Sequence, residues 1–278
     1  MTPIHVTAAG FDADGIRLIS PADDEFDSLV DALAEPGWVQ ILKNATPTIV
    51  IVSNESARKI VALSTVFTAA TGRRGGRNSV FFVAPDAIAE ADIAYGRSSD
   101  RGILPGHQKM IGFNFAVPCR EDLQRIPPED RAREEEDAAF NFPQVRNWIE
   151  STARDLSDAR HVHLSIDTVI FDDGLMLGED CSGLGPHFAA LVQARQTAYS
   201  MVLQRIGEGQ QVGDAVKACI RPDRTERPDR FDREWFVANE AKNTVAELLR
   251  RYGRVQLPDI LRRAILPLPF VIHPRSSS

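Results

Sequence analysis

The stretch VHLSIDTVIFDDGLML, residues 162–177, contains the strongest fold signal in the chain. Its first ten residues are rich in β-branched and apolar side chains, which indicates a strand. Asp172-Asp173-Gly174 separates this run from a second, short apolar run at 175–177. Because Asp-Gly between two apolar runs is typical of a β-hairpin, the stretch predicts two adjacent antiparallel strands.

Further strands are predicted on the N-terminal side of this hairpin. The run TIVIV at 48–52 is rich in β-branched residues and is followed by a polar turn. Residues 59–69 alternate with apolar side chains on both faces, which suits an interior strand. Segments 38–42, 79–84 and 109–117 also have strand character. Short strands separated by Gly, Pro and Asn turns are typical of an antiparallel β-sandwich.

Helices are predicted at both ends of the chain and in an insert. A short amphipathic helix is expected at 24–33, and a charged helical insert at 120–158. The C-terminal region predicts helices at 186–206, 212–220, 231–252 and 257–265, with Gly253 ending the third of them. The predicted fold class is therefore α+β, with an N-terminal segment (1–37), a β-sandwich domain (38–180) and a C-terminal helical region (181–278). The strands after the insert are expected to rejoin the sheet formed before it.

Composition excludes several classes of protein. The 278 residues are 43% apolar with a formal net charge of −7, which excludes a wholly disordered chain and argues against a nucleic-acid carrier. No apolar stretch approaches the roughly 20 residues of a membrane-spanning helix. Residues 1–10 lack the basic and apolar regions of a signal peptide, so the chain as written suggests a cytoplasmic protein. A periplasmic or secreted location remains open if a signal peptide has been removed.

Three cysteines, Cys119, Cys181 and Cys219, are widely spaced and form no CxxC pair. This spacing excludes a zinc ribbon and a thioredoxin-type motif. It favours three buried thiols over one disulfide plus one free thiol, because free cysteine behaves as a small buried apolar residue.

Several segments resemble those of a known architecture. They are VIVSNES at 50–56, KIVA at 59–62, ILPG at 103–106, SIDTVIFDDG at 165–174 and GED at 178–180. Together they resemble an immunoglobulin-like sandwich module joined to a helical tail, as found in uncharacterised bacterial proteins. The resemblance covers roughly 38–180 and implies architecture, because no activity can be transferred with it.

His161 and His163 are the sharpest candidates for metal chemistry. On a strand, side chains two positions apart point to one face, and Asp167 continues that face. Two imidazoles and a carboxylate suit zinc or iron, and the spacing resembles the first metal motif of cupins. The motif departs from that family because a second histidine motif is missing downstream. Two half-exposed strand histidines are the alternative interpretation.

A basic glycine-rich loop at 72–77 is the second candidate region. Arg73, Arg74 and Arg77, with His107 from a later turn, are candidate binding residues, since backbone amides and arginines suit an anion. A solvated hairpin turn is the simpler interpretation, because the loop lacks the Lys-Ser/Thr of a P-loop.

These patterns favour a non-enzymatic protein-interaction or structural module without a required cofactor. The expected partner is another protein or a second copy of this chain, with nucleic acid disfavoured. The alternative is a cupin-like enzyme using a transition metal held by His161, His163 and Asp167.

Overall fold

A computed structural model describes residues 5–34, 36–44, 49–71, 75–84, 102–112, 115–116, 146–147, 159–220, 233–266 and 270–275. Ten strands are described: β1 His5–Ala9, β2 Ile16–Ile19, β3 Ile49–Asn54, β4 Ile60–Thr71, β5 Gly75–Val83, β6 His107–Gly112, β7 Phe115–Ala116, β8 Ala159–Phe171, β9 Leu175–Gly178 and β10 His273–Pro274. The described α-helices are α1 Phe26–Leu33, α2 Pro36–Asn44, α3 Leu184–Gly207, α4 Val212–Ile220 and α5 Arg233–Ala264. The predicted insert at 120–158 lies outside the described residues, except for 146–147.

The strands form two sheets. The large sheet has the order β10-β9-β8-β4-β5, with β1 also beside β8, and the small sheet has the order β2-β3-β6-β7. The long strands β4 and β8 are antiparallel neighbours, from Ile60 beside Phe171 to Thr71 beside Ala159. The strand after the predicted insert therefore returns to the sheet formed before it, as the sequence predicted.

The two sheets enclose a shared apolar core. Val50 and Val52 of the small sheet pack in the same cluster as Leu63, Leu164 and Val169 of the large sheet. Helices cover the outer faces: α1 and α2 pack on the small sheet, and the first half of α3 packs on the large sheet. The second half of α3 packs with α4 and α5 in a separate helical core.

The α+β class and the antiparallel character of the sheets are confirmed, with two parallel strand pairs that the sequence did not predict. The β1–β8 and β9–β10 pairs are parallel, whereas the other pairs are antiparallel. The two parallel neighbours come from the ends of the chain. Parallel neighbours are joined by long connections, whereas a hairpin motif in the sequence predicts only antiparallel neighbours.

The predicted strand at 38–42 is also wrong, because these residues lie in α2. Trp38 and Leu42 are four positions apart and are both buried against the small sheet, as expected for one helix face. Pro36 begins the helix, where the missing N–H of proline costs nothing.

The predicted break at Gly253 is present. Helix α5, from Arg233 to Ala264, is kinked at Gly253, whose φ of 69° favours glycine. None of the described helices is long and apolar enough to cross a membrane.

The prediction of three buried thiols is wrong for Cys181, which is exposed, whereas Cys219 is buried. Both are free thiols, and Cys119 lies outside the described residues. Cys181 is exposed because it lies in the connection between β9 and α3, and Cys219 packs into the helical core.

Candidate functional site

The regular alternation of inward and outward side chains in β8 is interrupted by a β-bulge. Ser64 pairs with Thr168 and Thr65 pairs with Ile166, so Asp167 has no partner in β4. Ile166 and Val169 both lie in the core between the sheets, which places Asp167 and Thr168 consecutively on the outer face. A bulge of this kind brings two polar side chains to one place on a sheet.

The Asp167 carboxylate is held by a dense set of hydrogen bonds. Its Oδ2 accepts from the Ser182 N–H at 2.9 Å and from the Ser182 hydroxyl at 2.6 Å. The hydroxyls of Ser64 and Thr168 donate to the same oxygen at 3.2 and 3.1 Å, and the Cys181 N–H donates to Oδ1 at 3.3 Å. Burial raises the pKa of the Asp167 carboxyl, whereas the hydrogen bonds from Ser182, Thr168 and Ser64 lower it. Together the hydrogen bonds have the larger effect, so the pKa lies below its ordinary 3.8.

A second carboxylate, Asp180, attaches the start of α3 to the same place. Its Oδ1 accepts from the Leu184 N–H at 2.6 Å and from the Thr168 hydroxyl at 3.3 Å, and its Oδ2 accepts from the Gly185 N–H at 3.0 Å. These are N–H groups that the first turn of a helix leaves unpaired, and the negative charge suits the helix N-terminus. Asp167 and Asp180 therefore anchor α3 on the sheet.

Helix α3 covers only part of the outer face. Leu184, Phe188 and Val192 pack on Val61, Ala62 and Ile170. Beyond the bulge, Val66 is still buried, whereas Thr7, Thr68, His161 and His163 are exposed. We call this exposed region the histidine face and define it by Thr7, Thr68, His161 and His163.

Strand register orders the histidine face. One row across four strands contains Thr7 of β1, His163 of β8, Thr68 of β4 and Arg77 of β5. The Thr7 hydroxyl lies 2.8 Å from Nδ1 of His163. His161 follows in the next row, beside Ala70.

Of the predicted binding residues, the structure describes Arg77 and His107, and their positions in the sheets are far apart. Arg77 is at the histidine face by register, whereas Arg73 and Arg74 lie outside the described residues. His107 begins β6 beside Asn54, near the other end of β4, and its Nδ1 lies 3.0 Å from the Pro105 carbonyl oxygen. Since β4 has 12 residues, about 3.3 Å apart, the two ends are roughly 35 Å from each other.

The three predicted metal ligands differ in their surroundings. His161 and His163 are on the exposed histidine face, whereas the Asp167 carboxylate is bonded to Ser182 beside α3. Among the residues that the structure describes, no three His, Cys, Asp or Glu side chains are grouped to hold one metal ion. The structure thus does not assemble the predicted set, and metal binding by the two histidines stays a prediction.

Sequence reasoning missed the residues that hold Asp167. Ser64 lies 103 positions away in the chain, and Ser182 lies 15 positions away. No local motif predicts either contact, because one depends on strand pairing and the other on the path of the β9–α3 connection.

Comparison with family models, curated proteins and solved structures gave no match for this chain. The resemblance to immunoglobulin-like modules therefore stays a prediction.

Proposed function

We propose that this protein is a non-enzymatic interaction module whose histidine face binds an acidic surface of another protein. The observation that carries the proposal is that α3 covers one part of the outer face of the large sheet and leaves the histidine face exposed. An exposed, ordered sheet face with alternating side chains is a surface that a partner can recognise without a catalytic pocket.

The charge around this face favours an acidic partner. Sequence positions 71–78, which run from the end of β4 through the connection into β5, contain Arg73, Arg74 and Arg77 and no acidic residue. Strand register places Arg77 in the row of His163. The whole chain has a net charge of −7, so this positively charged segment differs in sign from the chain as a whole. A positive segment is complementary to an acidic partner.

We also propose that the sheet pair belongs to the immunoglobulin-like class of sandwiches. Two sheets with a shared core and the hairpin between β8 and β9 support this assignment. The short parallel neighbours β1 and β10 are additions at the edges of that arrangement.

Binding of a fluorescently labelled ten-residue polyglutamate peptide tests the proposal. Fluorescence anisotropy at low ionic strength is the measurement, because salt screens exposed charges. The triple variant Arg73→Glu, Arg74→Glu, Arg77→Glu is expected to lose affinity by about tenfold or more. The matched control Arg250→Glu, Arg262→Glu, Arg263→Glu has the same change of charge on exposed positions of α5 and is expected to bind like the unmodified chain.

Equal losses in both variants, or no binding by the unmodified chain, would refute the acidic-surface proposal. Tighter binding of a ten-nucleotide RNA that depends on the same arginines would replace it with a nucleic-acid function. Sedimentation velocity tests the remaining alternative: a dimer that the first triple variant dissociates would identify a second copy as the partner.

A further inference from the structure

Strand β5 is the longest of the described strands that have a single strand neighbour. It has nine residues, whereas the others, β1, β2, β7 and β10, have five, four, two and two. Among the described residues, β5 pairs with β4 and with no other strand. One edge of the large sheet therefore presents a long row of backbone N–H and C=O groups that no described strand pairs.

The backbone of β5 lacks the features that usually protect an edge strand from further pairing. Such strands are commonly short, bulged, or interrupted by proline and charged residues. β5 contains no proline and one charged residue, Arg77. Its pairs with β4 follow one another without a register shift, whereas the β4–β8 pairing has three shifts. The backbone of β5 is thus a regular template for one more strand.

The sequence around this edge favours an acidic strand. Residues 60–85, which contain β4, β5 and their connection, include three arginines and no other charged residue. Strand register places Arg77 in one row with Thr68 and His163. A strand added to β5 would continue this row, so one of its residues would lie beside Arg77. Opposite charges on neighbouring strands attract each other, which favours glutamate or aspartate at that place.

We propose that an acidic segment of the partner protein binds as an extended strand along the edge of β5 that faces away from β4. Main-chain hydrogen bonds give affinity in this mode of recognition, and alternate side chains give specificity. The inference rests on the proposed function, because it takes the partner to be acidic. It adds the conformation in which that partner is recognised, and a segment of about nine residues matches the length of β5.

Peptides that differ only in backbone N-methylation test this mode of binding. The parent is a fluorescently labelled nine-residue peptide of alternating Glu and Thr. Two further versions carry N-methyl groups on all Glu or on all Thr residues. Because the N–H groups of successive residues point to opposite edges of a strand, each version blocks one edge while the side-chain charges stay the same. We expect at least one version to lose affinity by about tenfold or more in fluorescence anisotropy.

The outcomes separate this inference from the proposed function. Retained affinity in both methylated peptides would overturn strand addition. The acidic-surface proposal would still stand if the Arg73→Glu, Arg74→Glu, Arg77→Glu variant weakened binding of the parent peptide. Loss of affinity on methylation without an effect of that variant would support strand addition and refute the acidic partner. Absence of parent-peptide binding at about 1 mM would overturn both.

Hydrogen exchange of the full chain, followed by NMR, locates the binding edge without any variant. Alternate N–H groups of β5 are expected to exchange quickly in the free chain and slowly with the parent peptide bound. The controls are β3, which lies between β2 and β6, and the short end strand β2, whose exchange is expected to stay unchanged.

Two results of the exchange measurement would overturn the proposal. One is that the peptide leaves β5 exchange unchanged. The other is that all N–H groups of β5 are already protected in the free chain. Protection independent of protein concentration would then mean that the chain itself covers this edge. Protection that increases with protein concentration would identify a second copy as the occupant.

Discussion

Asp167 shows how one residue can look like a metal ligand in the sequence and act as a structural anchor in the fold. Its alternation with His161 and His163 predicted a shared face. Asp167 lies on that outer face, where its carboxylate accepts hydrogen bonds from Ser182. The bulge turns Thr168 to the same face, and the period of the sequence does not predict a bulge.

Replacing Asp167 by Asn is expected to lower the free energy of unfolding by about 1–3 kcal/mol at neutral pH, because several donors lose a charged acceptor. The folded pKa lies below the ordinary 3.8, so the charged carboxylate stabilises the fold above about pH 4. This contribution is lost as the pH falls through the folded pKa. Urea unfolding of both chains between pH 3 and pH 7 measures the difference.

The control for this comparison is Asp259→Asn. Asp259 forms an ion pair with Arg262 at 2.6 Å, but its side chain is 74% exposed, so the change is expected to cost less than about 1 kcal/mol. The free energy of unfolding of Asp167→Asn could differ from that of the unmodified chain by the same amount below pH 4 as at neutral pH. That result would show that the carboxylate charge is not what stabilises the bulge.

Among the elements, the segment at 270–275 connects the end of the helical region to the large sheet. The Phe270 ring contacts the Phe188 ring edge-on, with centroids 5.8 Å apart. The His273 N–H donates to the Gly174 carbonyl and the Arg275 N–H donates to the Met176 carbonyl, both at 3.0 Å. Gly174 is required at this contact, since a Cβ there would lie 2.2 Å from the Val271 carbonyl oxygen at a φ of 86°.

Replacing Phe270 by Ala is expected to destabilise the chain by about 1–3 kcal/mol, because the partly buried ring loses both its apolar contact and its edge-on partner. Val271→Ala is the neighbouring control: Val271 is 67% exposed and should change the stability by less than about 0.5 kcal/mol. Thermal unfolding followed by circular dichroism compares the two variants. Equal melting temperatures for both would mean that the segment does not stabilise the fold.

For the whole molecule, α3 is the element that joins the sheets to the helices. Its residues Leu184, Phe188 and Val192 pack on the large sheet, whereas Tyr199 and Val202 pack in the helical core. The boundary predicted at 180 and 181 thus falls just before a helix that belongs to both cores. The chain also returns from α5 to the large sheet through β10.

A protease site inserted between residues 225 and 226 tests whether these contacts hold the molecule together. After cleavage, the two fragments are expected to co-elute in gel filtration, because α5 packs on α3 and α4 and because β10 pairs with β9. Addition of urea should separate them. Separate elution in native buffer would indicate that the helical region is an independent domain, and uncut protein carrying the same insertion is the control.

The sequence alone predicted the α+β class, the β8–β9 hairpin and the break at Gly253, because these depend on local periodicity and turn chemistry. The tertiary structure alone decided that 38–42 is a helix, that the Asp167 carboxylate is bonded to Ser182, and that β1 places His5 beside His161. Each of these depends on packing or pairing between residues far apart in the chain. Contacts across such separations have no repeating signal along the sequence, so only the folded chain shows which residues share a face.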